Sequence, residues 1–155
     1  MTRHLDEELL QLKTRLLERG GCAERAIEQA IQGLIKRETA RFDEVHRLEE
    51  RIDEAHLAVD DACIELLARR QPMANDLRWV VAVIKINSDL ERIGDQAVNI
   101  AQNAALYLEK DPIKPLVDIP KMAALTRNML QRSLDAFSAR DAHAARASPS
   151  RARRT

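Results

Sequence analysis

The chain is poor in the residues that build hairpins and aromatic cores. Aromatics are 3% of its 155 residues, although 45% are hydrophobic. The apolar surface is therefore almost all Leu, Ile, Val and Ala, which excludes a single-strand nucleic-acid binder that stacks bases on rings. Four glycines and five prolines leave little material for tight turns between strands. The two cysteines, Cys22 and Cys63, have no CxxC spacing, so neither a zinc or redox motif nor a structural disulfide is expected. Charge of one sign is lacking too, with 25 basic against 25 acidic residues. The longest wholly apolar run, "WVVAVI" from Trp79 to Ile84, falls far short of the roughly 20 residues a spanning helix needs. The opening "MTRHLDEELLQL" carries charges where a signal peptide needs an apolar stretch. These absences predict a soluble, cytoplasmic chain of about one domain.

What is present is helical periodicity. Leu5, Leu9, Leu12 and Leu16, continued by Ala23, Ile27, Ala30, Ile31 and Leu34, describe one long amphipathic helix, loosened at Gly20-Gly21 and broken around Arg37–Arg41. Val45, Leu48, Ile52, Ala55, Val59, Ala62 and Leu66 mark a second helix, which must end before Pro72 because proline pushes its predecessor out of helical geometry. Asn75 is the expected N-cap of a third helix, with Asp76 near its positive end, running to about Lys110. "DPIKP" (Asp111–Pro115) is a turn. A fourth helix starts near Asp118 and runs through Met122, Leu125, Met129, Leu130, Leu134 and Phe137. Helices of about thirty residues, about 45 Å long, joined by short turns pack as an antiparallel bundle. A shift of 103 residues places Ile27 on Leu130, Ile31 on Leu134 and Leu34 on Phe137, so helix four reads as a second copy of helix one. The end, "ARASPSRARRT", has four arginines and no periodicity; it reads as a disordered basic tail, a solvated end and not a nucleic-acid arm.

Two acidic pairs stand out. On helix three, Glu91 and Asp95 lie four apart, away from the stripe of Ile86, Leu90, Ile93, Ala97, Ala104 and Leu108. They continue, with Asn99, a line begun by Leu77, Val80, Val81 and Ile84. Glu49 and Asp53 repeat the spacing on helix two, with His46 and His56 just outside them. Carboxylates four apart project the same way and repel unless a cation or a partner of opposite charge intervenes. If helices two and three are neighbours, four carboxylates converge; such oxygen ligation suits iron, manganese or magnesium. Gly94 lies between Glu91 and Asp95, where a mid-helix glycine costs about 1 kcal/mol against Ala, so close backbone approach is expected there.

The stretch "RRQPMANDLRWVVAVIKINSDLERIGDQAVNIA" resembles the PhoU family of phosphate-transport accessory and regulatory proteins, through "QPMANDLR" followed one helix-length later by "LERIGDQAVNIA". The resemblance runs from residue 4 to about 145. It implies an all-α protein of tandem three-helix bundles that is not an enzyme. The implied role is negative regulation of phosphate uptake and starvation signalling. It couples the ATPase subunit of the phosphate ABC transporter to a phosphate sensor histidine kinase, and the membrane is reached only through those partners. It also implies metal ions, divalent or trivalent, with iron among the candidates, held on the surface by paired E(D)xxxD motifs. Those motifs match Glu49–Asp53 and Glu91–Asp95; His46, His56 and Asn99 are not carried over as ligands.

The implied domains are a first antiparallel three-helix bundle over 4–110, the first helix of an incomplete second repeat over 116–145, and the basic tail over 146–155. Shifted by 103, Glu49 falls on Ala152 and Asp53 beyond the last residue, so one pair of acidic motifs, Glu49–Asp53 with Glu91–Asp95, is expected where the family pattern has two such pairs. The unpaired apolar face of helix four is expected to pack on the first bundle, to form a homodimer or to stay mobile. Two rivals remain. One is a helical scaffold or non-functional fragment without metal. The other is a di-metal carboxylate enzyme, which needs two carboxylate-x-x-His elements; only Asp53–His56 fits.

Overall fold

The amphipathic periods become four α-helices in the computed structural model, which describes residues 2–139. They are α1 (Thr2–Lys36), α2 (Ala40–Arg70), α3 (Ala74–Leu108) and α4 (Asp118–Ser138), with no strand among the described residues. The assignment of 146–155 as a tail lies outside them, as does the end of the 116–145 segment. Among the described residues no helix is long and apolar enough to cross a membrane.

The first three helices form an antiparallel bundle, and side chains at its ends fix the direction. Arg70, ending α2, grips both carboxylate oxygens of Glu8 near the start of α1, at 2.7 and 3.1 Å. At the opposite end Arg37 donates to the Leu108 and Lys110 carbonyls, both at 3.0 Å, satisfying orphan acceptors at the close of α3. Arg37 itself has φ 55, and Glu38 N–H reaches back to the Gly33 carbonyl at 3.0 Å, a Schellman-type stop for α1. Gln71, at φ 46, stops α2 just ahead of Pro72.

Two expectations are corrected. α1 runs unbroken through Gly20 and Gly21, with no positive-φ glycine. The reason for Gly20 is packing: a Cβ there would lie 2.5 Å from Leu134 Cδ1, so the missing side chain admits α4. Asn75 does not cap α3. The helix is entered from Met73, which is extended and makes no side-chain cap bond; Asn75 is already inside the first turn, too late for its side chain to cap.

The core runs the length of the bundle in two parts. Towards the Pro72 turn it holds large side chains, among them Leu12, Leu16, Ile52, Val59, Val83 and Leu90. Towards the Phe42 end it narrows to Ala26, Ala30, Ala97, Ala101 and Ala104 around Phe42, Val45 and Leu48. α4 packs on α1. Leu134 fills the notch at Gly20, Phe137 stacks on Trp79 with ring centroids 5.3 Å apart, and Arg127 donates to Glu28 at 3.2 Å. Between α1, α3 and α4 lies an apolar groove of about 690 Å³, lined by Ile27, Ile93, Ile100, Tyr107 and Ile119 among others.

Candidate metal centre

α2 and α3 are adjacent, so their acidic residues share one face. Carboxylate oxygens of Glu49, Asp53 and Asp95 lie within 4.8 Å of one another. Glu49 is half-buried; Asp53 and Asp95 are exposed. The approach depends on Gly94, which is buried: a Cβ at that position would stand 3.2 Å from Ile52 Cδ1 and 3.9 Å from Glu49 Cγ. The mid-helix glycine thus brings α3 against the turn of α2 that carries the acids, as its cost led us to expect.

The electrostatics carry the mark of crowded anions. Burial, then the hydrogen bond and charge of Asp53, then the charges of Asp95 and Glu50 push the Glu49 carboxyl up to about 7. Like charges this close favour a proton on Glu49 or a cation held among them. Three oxygen donors at the protein surface are the donor set a hard cation takes, with water completing its shell. The residues present therefore fit such an ion.

Glu91, the fourth predicted residue, is on the same face but differently engaged. Its Oε2 lies 3.2 Å from His56 Nε2, which is also 3.5 Å from Asp60 Oδ2. Asn87, fully buried, donates to the His56 carbonyl at 3.0 Å and to Asp60 Oδ1 at 2.8 Å. Beneath them, Arg19 donates from Nε to the Ile52 carbonyl and from Nη1 to that of Asn87, both at 3.0 Å. His56 is thus bound to Glu91 and Asp60, not to Asp53 with which it would form a di-metal element. His46 and Asn99 are exposed.

Arg19, Asn87 and Asp60 were not read from the sequence as parts of this site. A signal existed for two of them. Arg19 falls between Leu16 and Ala23, and Asn87 between Val83 and Leu90, each at a core phase of its own helix. A polar residue at a core phase needs a partner: Arg19 finds main-chain carbonyls, those of Ile52 and Asn87, and the Asn87 side chain finds the His56 carbonyl and Asp60.

A PhoU domain is recognised over residues 16–104. The phosphate-specific transport system accessory protein PhoU homologue of Pseudomonas putida is 34% identical over 147 residues, covering 92% of this chain and 57% of that protein. The homologue of the same name from Aquifex aeolicus is 35% identical, over 88% of this chain and 62% of its own length. The crystal structure of PhoU from Pseudomonas aeruginosa superposes with a TM-score of 0.87 at 32% identity, over 92% of this chain and 68% of that one. This chain thus spans about three-fifths of the curated relatives it matches. Its all-α bundle, its "QPMANDLR" and "LERIGDQAVNIA" segments and these matches agree: the chain belongs to the PhoU family.

Proposed function

We propose that this protein is an accessory protein of phosphate-specific transport. In this reading it restrains the starvation response by coupling the ATPase subunit of a phosphate ABC transporter to a phosphate sensor histidine kinase. The observation that carries the reading is the match, over 92% of the chain, to a relative named for that transport system. The chain works in the cytoplasm by binding, not by catalysis, and pairs as a homodimer. Its α4 is the first helix of a second repeat.

The acidic face supplies a metal site. Glu49, Asp53 and Asp95 hold a hard cation, iron or manganese among the candidates, and Glu91 joins them by releasing His56. What supports this is the convergence of three carboxylates within 4.8 Å together with the raised Glu49 titration.

Two measurements test the reading. Purified protein titrated with Mn²⁺ by calorimetry is expected to bind it, Asp95→Ala to lose binding, and Glu91→Ala to bind several-fold more weakly. Unchanged binding in Asp95→Ala sinks the site. A phosphate-starvation reporter in cells carrying this chain as their only copy is expected to be silent when phosphate is plentiful; constitutive expression overturns the regulatory role.

A further inference from the structure

The only charged residue buried in the core, among the described residues, is Arg19, at 2% exposure. It lies on the apolar stripe of α1, and its guanidinium reaches the two turns that carry the acidic site. The Ile52 carbonyl that accepts from Nε immediately precedes Asp53. The Asn87 carbonyl that accepts from Nη1 lies one turn before Glu91, and the Asn87 amide is bonded to Asp60. Nη2 is buried with no hydrogen-bond acceptor from the protein.

Stability does not account for this arrangement. Both carbonyls lie in mid-helix, where the helix supplies its own donor, so neither would be orphaned without Arg19. A buried ion is costly to desolvate, and an apolar side chain of similar volume is often neutral or better in its place. Burial indeed pushes the titration of Arg19 down, while the charges of Glu91, Asp60 and Asp53 push it back up. The feature left to explain is a buried positive charge, bonded to the turns that carry the acids and within electrostatic reach of Glu91, Asp60 and Asp53.

We propose that Arg19 is an internal counter-cation of the α2–α3 acidic face, neutralising part of its charge from the protein side and so weakening its hold on a metal ion that approaches from solvent. The inference rests on the metal reading above and deepens it: this site is partly charge-compensated before any ion binds. It is built to release its metal more readily than four uncompensated carboxylates would.

The test compares Mn²⁺ binding of the full chain with that of Arg19→Met and Arg19→Gln. Met keeps the bulk, whereas Gln keeps one donor for a carbonyl; both drop the charge. Each is expected to bind Mn²⁺ more tightly, by about threefold or more, because charge pairs inside a protein still interact over several ångströms. Where Met fails to fold, Gln decides. Unchanged or weaker binding in a variant with the helical circular dichroism of the parent overturns the proposal, since that outcome marks Arg19 as a brace only. If the parent chain takes up no Mn²⁺ at all, the metal reading falls and Arg19 is judged separately. A double-mutant cycle of Arg19→Gln with Asp60→Asn in urea then reads the coupling. Non-additive midpoints support the counter-charge and additive ones overturn it.

Discussion

Glu49 is where single-residue physics bears most directly on behaviour. Its carboxyl titrates at about 7 in the folded chain against 4.5 for the free group, because burial and Asp53 both oppose the charge. The folded protein therefore holds more protons than the unfolded chain between those values, and stability falls as pH rises through that window. Full stabilisation belongs below about 4.5 and is lost above about 7. In chelator, the urea midpoint is expected to be lower at pH 8 than at pH 5.5, and Glu49→Gln to flatten that difference. Equal slopes for parent and variant would show that Glu49 does not carry the effect. A metal needs the ionised carboxylate, so its apparent affinity runs the other way and rises with pH. Cys63 shows the same burial effect: its thiol, fully enclosed in the core, is pushed up to about 11 by burial first and then by the charge of Asp60. It behaves as a small apolar filler, neither nucleophile nor ligand.

At the scale of the element, α4 differs from the other three helices. It rests on α1 through the Gly20 notch and Arg127 and on α3 through the Phe137–Trp79 ring stack, while Met122 and Leu125 on it remain more than half exposed. Leu134 is the centre of that contact. Leu134→Ala removes the side chain that fills the Gly20 notch and is expected to cost about 2–4 kcal/mol at this partly rigid site. The loss should fall on α4 alone. Trp79 is the sole tryptophan of the sequence and stacks on Phe137, so its emission is expected to shift to the red as α4 lifts. Helical circular dichroism should drop by no more than the α4 share. A collapse of the whole helical signal would mean that the bundle cannot stand without α4.

At the scale of the whole molecule, the two core parts are unequal in strength. The part towards the Pro72 turn holds most of the large buried side chains, and full burial of one such Leu or Val contributes about 1.5–3 kcal/mol. Leu16, fully buried, sits in the middle of it. Leu16→Ala is expected to cost about 3–5 kcal/mol, a large share of the roughly 5–15 kcal/mol that holds a domain together. The urea midpoint should fall by about 1–2.5 M if the slope is near 2–3 kcal/mol/M. A change under about 0.5 M would mean that the neighbours collapse into the space. The alanine-rich part contributes less from burial and more from closeness. Small residues let α3 approach α1 and α2, and that approach leaves the apolar groove against α4.

Much of this was legible in the order of residues alone, because helical periodicity is a local property. The stripes through Leu5–Leu34, Val45–Leu66 and Ile86–Leu108 specify amphipathic helices; Pro72 parts the second from the third, and "DPIKP" closes the third. The spacing of Glu49 with Asp53 and of Glu91 with Asp95 likewise places each pair on one side of its helix. Tertiary structure alone decided which residues meet. Periodicity gives an azimuth but not the rotation of one helix against its neighbour, so it could not tell that Asp95 joins Glu49 and Asp53 while Glu91 turns to His56. Nor could it tell that Gly20 is a socket for Leu134. A glycine's meaning depends on what is opposite it, and at residues 20 and 94 the opposite side is a helix far away in the chain. The buried arginine is the sharpest case. Its phase between Leu16 and Ala23 puts Arg19 on the core side of α1, a signal left unread, but only the packed bundle supplied the carbonyls that receive it and the acids whose charge it feels.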